Sequence, residues 1–208
     1  MEVETPEEKH QNYCIKIAKE ILNKDFIPLT IEQFILHENT KKNKSSISCC
    51  LVSPAPHFVS RPLNGVGEGV VDALFGALVD NLAGTYLSLQ QVEFEDFTVV
   101  VKFKESARRT KTDAPVEIRL TIKTSRFNRV HFRHQCTSMV SAAVEVMRQA
   151  VEFFINLECA ILQLYNNVKD AEKRNRQDLI SEYTYKMANL VEIISYEKTL
   201  EKRKQDKL

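Results

Sequence analysis

The stretch "GVGEGVVDALFGAL", Gly65 to Leu78, contains four of the five glycines in the chain. Its second half begins a run of apolar residues at the spacing of one helical face. Such a stripe predicts a helix that buries one side and ends near Gly84, with a glycine turn in front of it. The residues of the stripe are Val71, Leu74, Phe75, Leu78, Val79 and Leu82.

The glycines do not match the common nucleotide-binding loops. No Gly-Lys-Ser/Thr follows them, and the spacing of Gly65, Gly67 and Gly69 differs from the G-x-G-x-x-G of a βαβ unit. Glycines at a helix start also expose backbone amides that hold a carboxylate or a phosphate. Glu68 and Asp72 already place two carboxylates at this start. Two interpretations stay open: a structural turn supported by Asp72, and a turn that also holds a ligand.

Strand and helix patterns surround this stretch on both sides. Alternating apolar residues predict strands at 29–36, 46–53, 97–104, 116–122 and 128–134, and helical spacing predicts helices at 7–24 and from Ser138 onward.

The chain also matches itself at an offset of 69 residues, which places 47–78 on 116–147 without a gap. Leu51 then coincides with Leu120, and Ala73 with Ala142. Apolar positions coincide along both segments, so the same faces are buried in each. The sequence therefore predicts an α+β fold of two strand-strand-strand-helix (βββα) units related by an approximate twofold axis.

Three segments follow from these patterns: an N-terminal helical segment (1–25), an α+β domain (26–157) and a C-terminal helical extension (158–208). Apolar residues at a period of about 3.5 form a seam along the extension. We expect a partner for this seam, either in a helical hairpin of the same chain or from a second chain. The seam residues are Ile180, Tyr183, Met187, Leu190, Val191 and Ile194, and the pattern can be extended to Leu200.

Composition excludes several classes of function. Lys and Arg number 29 and Asp and Glu 28, so a net charge of +1 gives no reason to expect nucleic acid as a partner. No apolar run approaches the roughly 20 residues that span a bilayer, which argues against a membrane protein. Five cysteines, an odd number without a C-x-x-C pair, indicate reduced thiols and a cytoplasmic location.

The chemistry-bearing residues do not form a recognisable catalytic set. His134 and Cys136 share a strand face and His131 points the other way, without a further pair to complete a zinc site. Cys49 and Cys50 are predicted to point to opposite faces of one strand, one into the core. We therefore predict that the protein is not an enzyme and has no metal and no cofactor. An enzyme with a site assembled only in space is the third possibility.

One motif also resembles a known family. The letters G-x-G-x-V-D-A from Gly67 to Ala73 resemble the first repeat of the C-terminal allosteric, dimerising domain of the α-isopropylmalate synthase and citramalate synthase family. "TSMVSAA", 137–143, and "FIN", 154–156, occupy the places of the start and end of the second repeat's helix. The family's two βββα units agree with the repeat described above.

The resemblance implies a regulatory domain that binds leucine or isoleucine between its two units, forms a homodimer and passes a signal to a catalytic barrel. This chain has neither room for the barrel nor a metal-binding H-x-H, so the regulated enzyme would be a separate partner. By motif match, the implied ligand-binding residues are Gly67, Gly69, Val71, Asp72, Ala73, Ser138, Met139 and Ala142.

We accordingly expect a non-catalytic regulatory module that binds a small metabolite such as a branched-chain amino acid and modulates a partner enzyme. The alternative is a structural or interaction protein that kept the fold, lost the ligand and assembles through its C-terminal helices.

Overall fold

A computed structural model describes residues 4–101, 114–124 and 129–194. The described elements in chain order are α1 (Pro6–Leu22), β1 (Thr30–Asn39), β2 (Lys44–Val52), β3 (Arg61–Gly67), α2 (Val70–Leu82), β4 (Glu93–Val101), β5 (Val116–Lys123), β6 (Arg129–Cys136), α3 (Met139–Lys173) and α4 (Gln177–Val191), with short 3-10 helices at Asn23–Asp25 and Leu87–Gln91.

The six strands form two separate antiparallel sheets, ordered β1-β2-β3 and β4-β5-β6. The α+β class is confirmed. On each central strand alternate residues are buried, as the period of two requires. Cys49 lies in the core and Cys50 is half-buried, which confirms the predicted division between these cysteines.

The sequence predicts a glycine turn before α2. This prediction is wrong in one respect, because Gly65 and Gly67 belong to strand β3. The same strand contains Pro62, which pairs with Cys50. A proline is tolerated there because β3 is an edge strand and its outer side needs no ladder hydrogen bond.

The predicted single offset of 69 residues holds for only part of the chain. Helices α2 and α3 begin 69 residues apart, at Val70 and Met139. The central strands differ: Leu63 pairs with Cys49, whereas Phe132, 69 residues after Leu63, pairs with Leu120, 71 residues after Cys49. The paired residues of β2 and β3 are thus two positions further apart in the chain than those of β5 and β6, so the gapless alignment of Leu51 with Leu120 does not hold for the central strands.

Helix α3 is the centre of the molecule. It contacts the other three helices, strands β5 and β6, and the start of β1. It runs without a break past residue 157, where the sequence predicts a boundary. Helix α2 covers β2 and β3, so the first sheet has its own helix.

Helices α1 and α4 pack on the outside of α3. A capping box begins α1: Thr5 Oγ1 accepts from the Glu8 N–H (3.1 Å), and Glu8 Oε2 accepts from the Thr5 N–H (2.9 Å).

Helix α4 returns along α3, with Leu190 and Ile194 buried. Three other residues of the seam are half-buried and pack against the core: Tyr183, Met187 and Val191. Most of the described seam is thus covered within the chain, and Leu200 lies outside the described residues. In the described residues, no helix is long and apolar enough to cross a membrane.

Candidate functional site

The first group of predicted ligand residues lies where β3 passes into α2. Gly69 is the residue before the helix, and the Asp72 carboxylate accepts a hydrogen bond from the Glu68 N–H at 3.0 Å. Ala73 is buried and Val71 is half-buried. Asp72 therefore supports the first turn of the helix, as the structural interpretation of this stretch predicts.

Close packing explains two of the glycines and leaves a third unexplained. A Cβ on Gly65 would overlap the Ala73 carbonyl oxygen, and a Cβ on Gly67 would lie 2.5 Å from the Ala73 nitrogen. A Cβ on Gly69 would meet nothing within 4 Å, and its φ of −156° suits any residue. No side chain caps α2. A Cβ at Gly69 would therefore point into open space, and the first amides of α2 have no side-chain cap.

The second group lies at the equivalent start of α3, which is built differently. The Ser138 hydroxyl oxygen accepts from the Ser141 N–H at 3.2 Å and caps the helix. Met139 is 52% exposed, whereas Ala142 is fully buried. Helices α2 and α3 contact each other. Only the first of the two helix starts is uncapped.

A groove of about 580 Å³ lies between the start of β1 and the first turns of α3; we call it the β1–α3 groove. None of the eight predicted ligand residues lines it, although Val140 and Ser141 lie next to Met139 and Ala142 in the chain. Its apolar lining consists of Pro28, Leu29, Ile31, Phe34, Val140 and Val144, and its polar lining of Thr30, Ser141, Glu145, Arg148 and Glu152.

The polar end of this groove is a cluster of three charges. The Arg148 guanidinium donates two hydrogen bonds to Glu145, at 2.7 and 2.8 Å, one to Glu152, and one to the Leu29 carbonyl at 3.0 Å. Glu152 also accepts from the Leu29 N–H at 2.7 Å. The cluster fastens the segment before β1 to helix α3.

Electrostatics favour the ionised forms of Glu145 and Arg148. Partial burial alone would raise the pKa of Glu145, but hydrogen bonds from Arg148 and Gln149 outweigh it, and the pKa lies below its ordinary value. The hydrogen bond to Glu145 raises the pKa of Arg148 against the opposing effect of burial. With two carboxylates around one guanidinium, the polar end carries a net negative charge.

A larger cleft, of about 830 Å³, runs between α1, β6 and α3. Gln11 crosses it and bonds to the backbone of His131, and Asn156 of α3 lines its inner wall. Neither amide belongs to the residues predicted from the sequence to be functional. The available signal was a polar residue inside an apolar stretch, as in "FFINL" around Asn156.

Asn156 is 1% exposed and pairs with the backbone of Ile27. Its Oδ1 accepts from the Ile27 N–H, and its Nδ2 donates to the Ile27 carbonyl and to the Glu152 carbonyl, each at 2.8 Å. Asn156 and the Arg148 cluster together fix Ile27 and Leu29, and Pro28 and Leu29 line the β1–α3 groove.

His10 lies beside two other chemistry-bearing residues: its Nε2 is 3.6 Å from Cys14 Sγ and 3.5 Å from Glu192 Oε2. None of these three residues is predicted from the sequence to form a site.

Within the described ranges, no three His, Cys, Asp or Glu side chains form a metal-binding group. His131 contacts Thr121 of the neighbouring strand, and the Cys136 thiol donates to the Ser138 carbonyl. Burial raises the pKa of Cys49 to about 11, so that thiol stays protonated at neutral pH.

Comparison with known proteins adds no family to this geometry: no family model matches the chain, and no curated protein matches it.

Proposed function

We propose that the protein is a non-catalytic regulatory module that binds a small metabolite of the branched-chain amino acid class and modulates a partner enzyme. The observation that carries this proposal is the uncapped start of α2 at Gly69, which faces open space without a steric need for glycine. The order β1-β2-β3-α2 and β4-β5-β6-α3 supports it, because it agrees with the two units implied by the resemblance.

In this proposal the free amides at the start of α2 bind the carboxylate of the ligand, since a helix N-terminus attracts negative charge. Asp72 lies in the same turn and provides a carboxylate for the ammonium group, and Val71 contacts the aliphatic chain. Ser138 and Met139 complete the proposed site from the second unit, whereas Ala142 is fully buried and only supports the helix behind them. A homodimer and a separate partner enzyme complete the proposed assembly.

Thermal unfolding with millimolar leucine, isoleucine or valine tests this proposal, because a ligand that binds only the folded state raises its melting temperature. Gly69→Ser is the informative variant. Serine is a good helix cap, so the fold is retained, but its hydroxyl covers the amides that the carboxylate needs.

We expect an amino-acid-dependent shift in the parent protein that Gly69→Ser abolishes. Gly76→Ala is the matched control, since a Cβ at this helical position also meets nothing within 4 Å, and it should keep the shift. Absence of a shift with all three amino acids in the parent protein would contradict the proposal.

The alternative function is that of an interaction protein assembled through its C-terminal helices. One exposed surface, formed by α1 and α4, supports it. Tyr13 of α1 and Tyr185 of α4 are 40% and 63% exposed, and they interact with each other. Exposed aromatic residues are common at interfaces. If Tyr185→Ala dissociates an assembly measured by light scattering while the amino acids produce no shift, this alternative is favoured.

A further inference from the structure

Edge strand β4 lies beside α2 in the same way that edge strand β1 lies beside α3, but the side chains at the two contacts differ in size. On one side, Phe75 of α2 stacks on Phe94 of edge strand β4, with ring centroids 4.2 Å apart. Val144 lies 69 residues after Phe75, at the same distance from the start of its helix. Val144 lines the β1–α3 groove.

The strand residues correspond in the same way. Phe94 pairs with Ile122, and Ile31 of edge strand β1 pairs with Leu51. Leu51 and Ile122 occupy the same place in their sheets, one residue before the end of the central strand. Ile31 is therefore the counterpart of Phe94, and it also lines the groove. The smaller side chains of Ile31 and Val144 thus occupy the places that Phe94 and Phe75 occupy beside α2. We attribute the open β1–α3 groove to this difference in size.

We infer that the β1–α3 groove is a binding site for small alkylammonium compounds, with the alkyl group between Ile31 and Val144 and the cationic head at Glu145 and Glu152. The apolar lining and the volume of about 580 Å³ suit a small aliphatic molecule. The two carboxylates around one guanidinium favour a cation and oppose a carboxylate.

This site is distinct from the proposed amino-acid site at Gly69, because neither Gly69 nor Asp72 lines the groove. The two proposals therefore fail or succeed separately. Gly69→Ser should leave alkylammonium binding unchanged, and filling the groove should leave any leucine-dependent shift unchanged.

The test uses isoamylammonium, with isocaproate and isoamyl alcohol as probes of the same alkyl group and a different head. Methyl NMR titration of the full chain follows Leu29, Ile31, Val140 and Val144. We expect isoamylammonium to bind with a dissociation constant on the order of a millimolar or below, and to shift the methyl groups of these four residues before others. Isoamyl alcohol should bind several-fold more weakly, and isocaproate most weakly.

Val144→Phe copies Phe75 and should fill the groove, weakening isoamylammonium binding by about tenfold or more. Ile31→Phe, which copies Phe94, serves the same purpose if the first variant does not fold. Val59→Phe, at a loop position that is 72% exposed, is the matched control and should bind like the parent protein.

Three outcomes would overturn the inference: the groove methyl groups do not move, isocaproate binds as tightly as isoamylammonium, or the folded groove-filling variant binds like the parent protein.

Discussion

The carboxamide of Gln11 pairs with both backbone groups of His131. Its Nε2 donates to the His131 carbonyl and its Oε1 accepts from the His131 N–H, each at 2.9 Å. His131 lies on β6, which is an edge strand of its sheet among the residues that the structure describes. A side chain of α1 thus takes the place of a strand residue and joins the helix to the sheet edge.

Replacing Gln11 with methionine should lower the free energy of unfolding by about 1–3 kcal/mol. Methionine keeps a similar length but leaves both His131 groups without this partner. Urea denaturation measures the change. Asn12→Ala is the control, since the Asn12 amide makes an exposed contact with Glu4 and should matter little. Equal effects of the two substitutions would show that the edge contact is unimportant.

Asn156→Ala should destabilise the protein by roughly 2–4 kcal/mol, because three buried hydrogen bonds are lost together. Asn189→Ala is a matched control: its amide bonds to the Tyr185 carbonyl one helical turn earlier, but at an exposed position. Hydrogen exchange provides a second measurement, since the Ile27 amide should lose protection in Asn156→Ala and keep it in Asn189→Ala. Retained protection at Ile27 would contradict the assigned role.

Alanine substitutions at Gly65 and Gly76 should change the free energy of unfolding in opposite directions. Gly65→Ala should cost roughly 1–3 kcal/mol or more, because the added Cβ overlaps the backbone of Ala73 and moves α2 away from β3. Gly76→Ala should stabilise the protein by about 0.5–1 kcal/mol, because alanine favours the helix and the position is open. Both values follow from denaturant titration. A neutral Gly65→Ala would mean that α2 packs less closely than the structure indicates.

Alkaline pH should reduce stability partly through Cys14. Burial raises the pKa of its thiol to about 12, and the Glu192 carboxylate adds to the effect. The unfolded thiol ionises near its ordinary pKa of about 8.5. The buried, protonated thiol therefore contributes fully to the free energy of unfolding below about pH 8.5, and this contribution is lost as the pH rises toward 12. In unfolding experiments over this pH range, Cys14→Ala should therefore lose less stability than the parent protein. If the two proteins have the same pH profile, Cys14 is not responsible for the loss.

Thiol labelling should separate the cysteines by burial. Cys14 and Cys49 are buried, whereas Cys50 is half-buried on the opposite face of the strand that contains Cys49. Mass spectrometry of the folded protein after brief alkylation should find Cys50 modified well before the two buried thiols. Equal rates would mean that the core opens on the labelling timescale.

The sequence alone predicts the class of fold and most of the elements. Period-two alternation identifies β2 and β5, and helical spacing identifies α2, because each pattern is a local property of a chain that buries one face. It also predicts that only one of Cys49 and Cys50 enters the core. The strand that includes Gly65 is implied only by the predicted repeat and has no local signal of its own, because proline and glycine weaken every strand pattern there.

The tertiary structure decided everything that depends on residues distant in the chain. Gln11 and His131 are 120 residues apart, and Asn156 and Ile27 are 129 apart, so no local pattern links them. The register of the central strands, 71 residues apart where the helices are 69 apart, depends on loop lengths that hydrophobic periodicity does not measure. The open β1–α3 groove arises for the same reason: Ile31 and Val144 are ordinary aliphatic residues, 113 positions apart in the chain, and only the fold brings both to the lining of one groove.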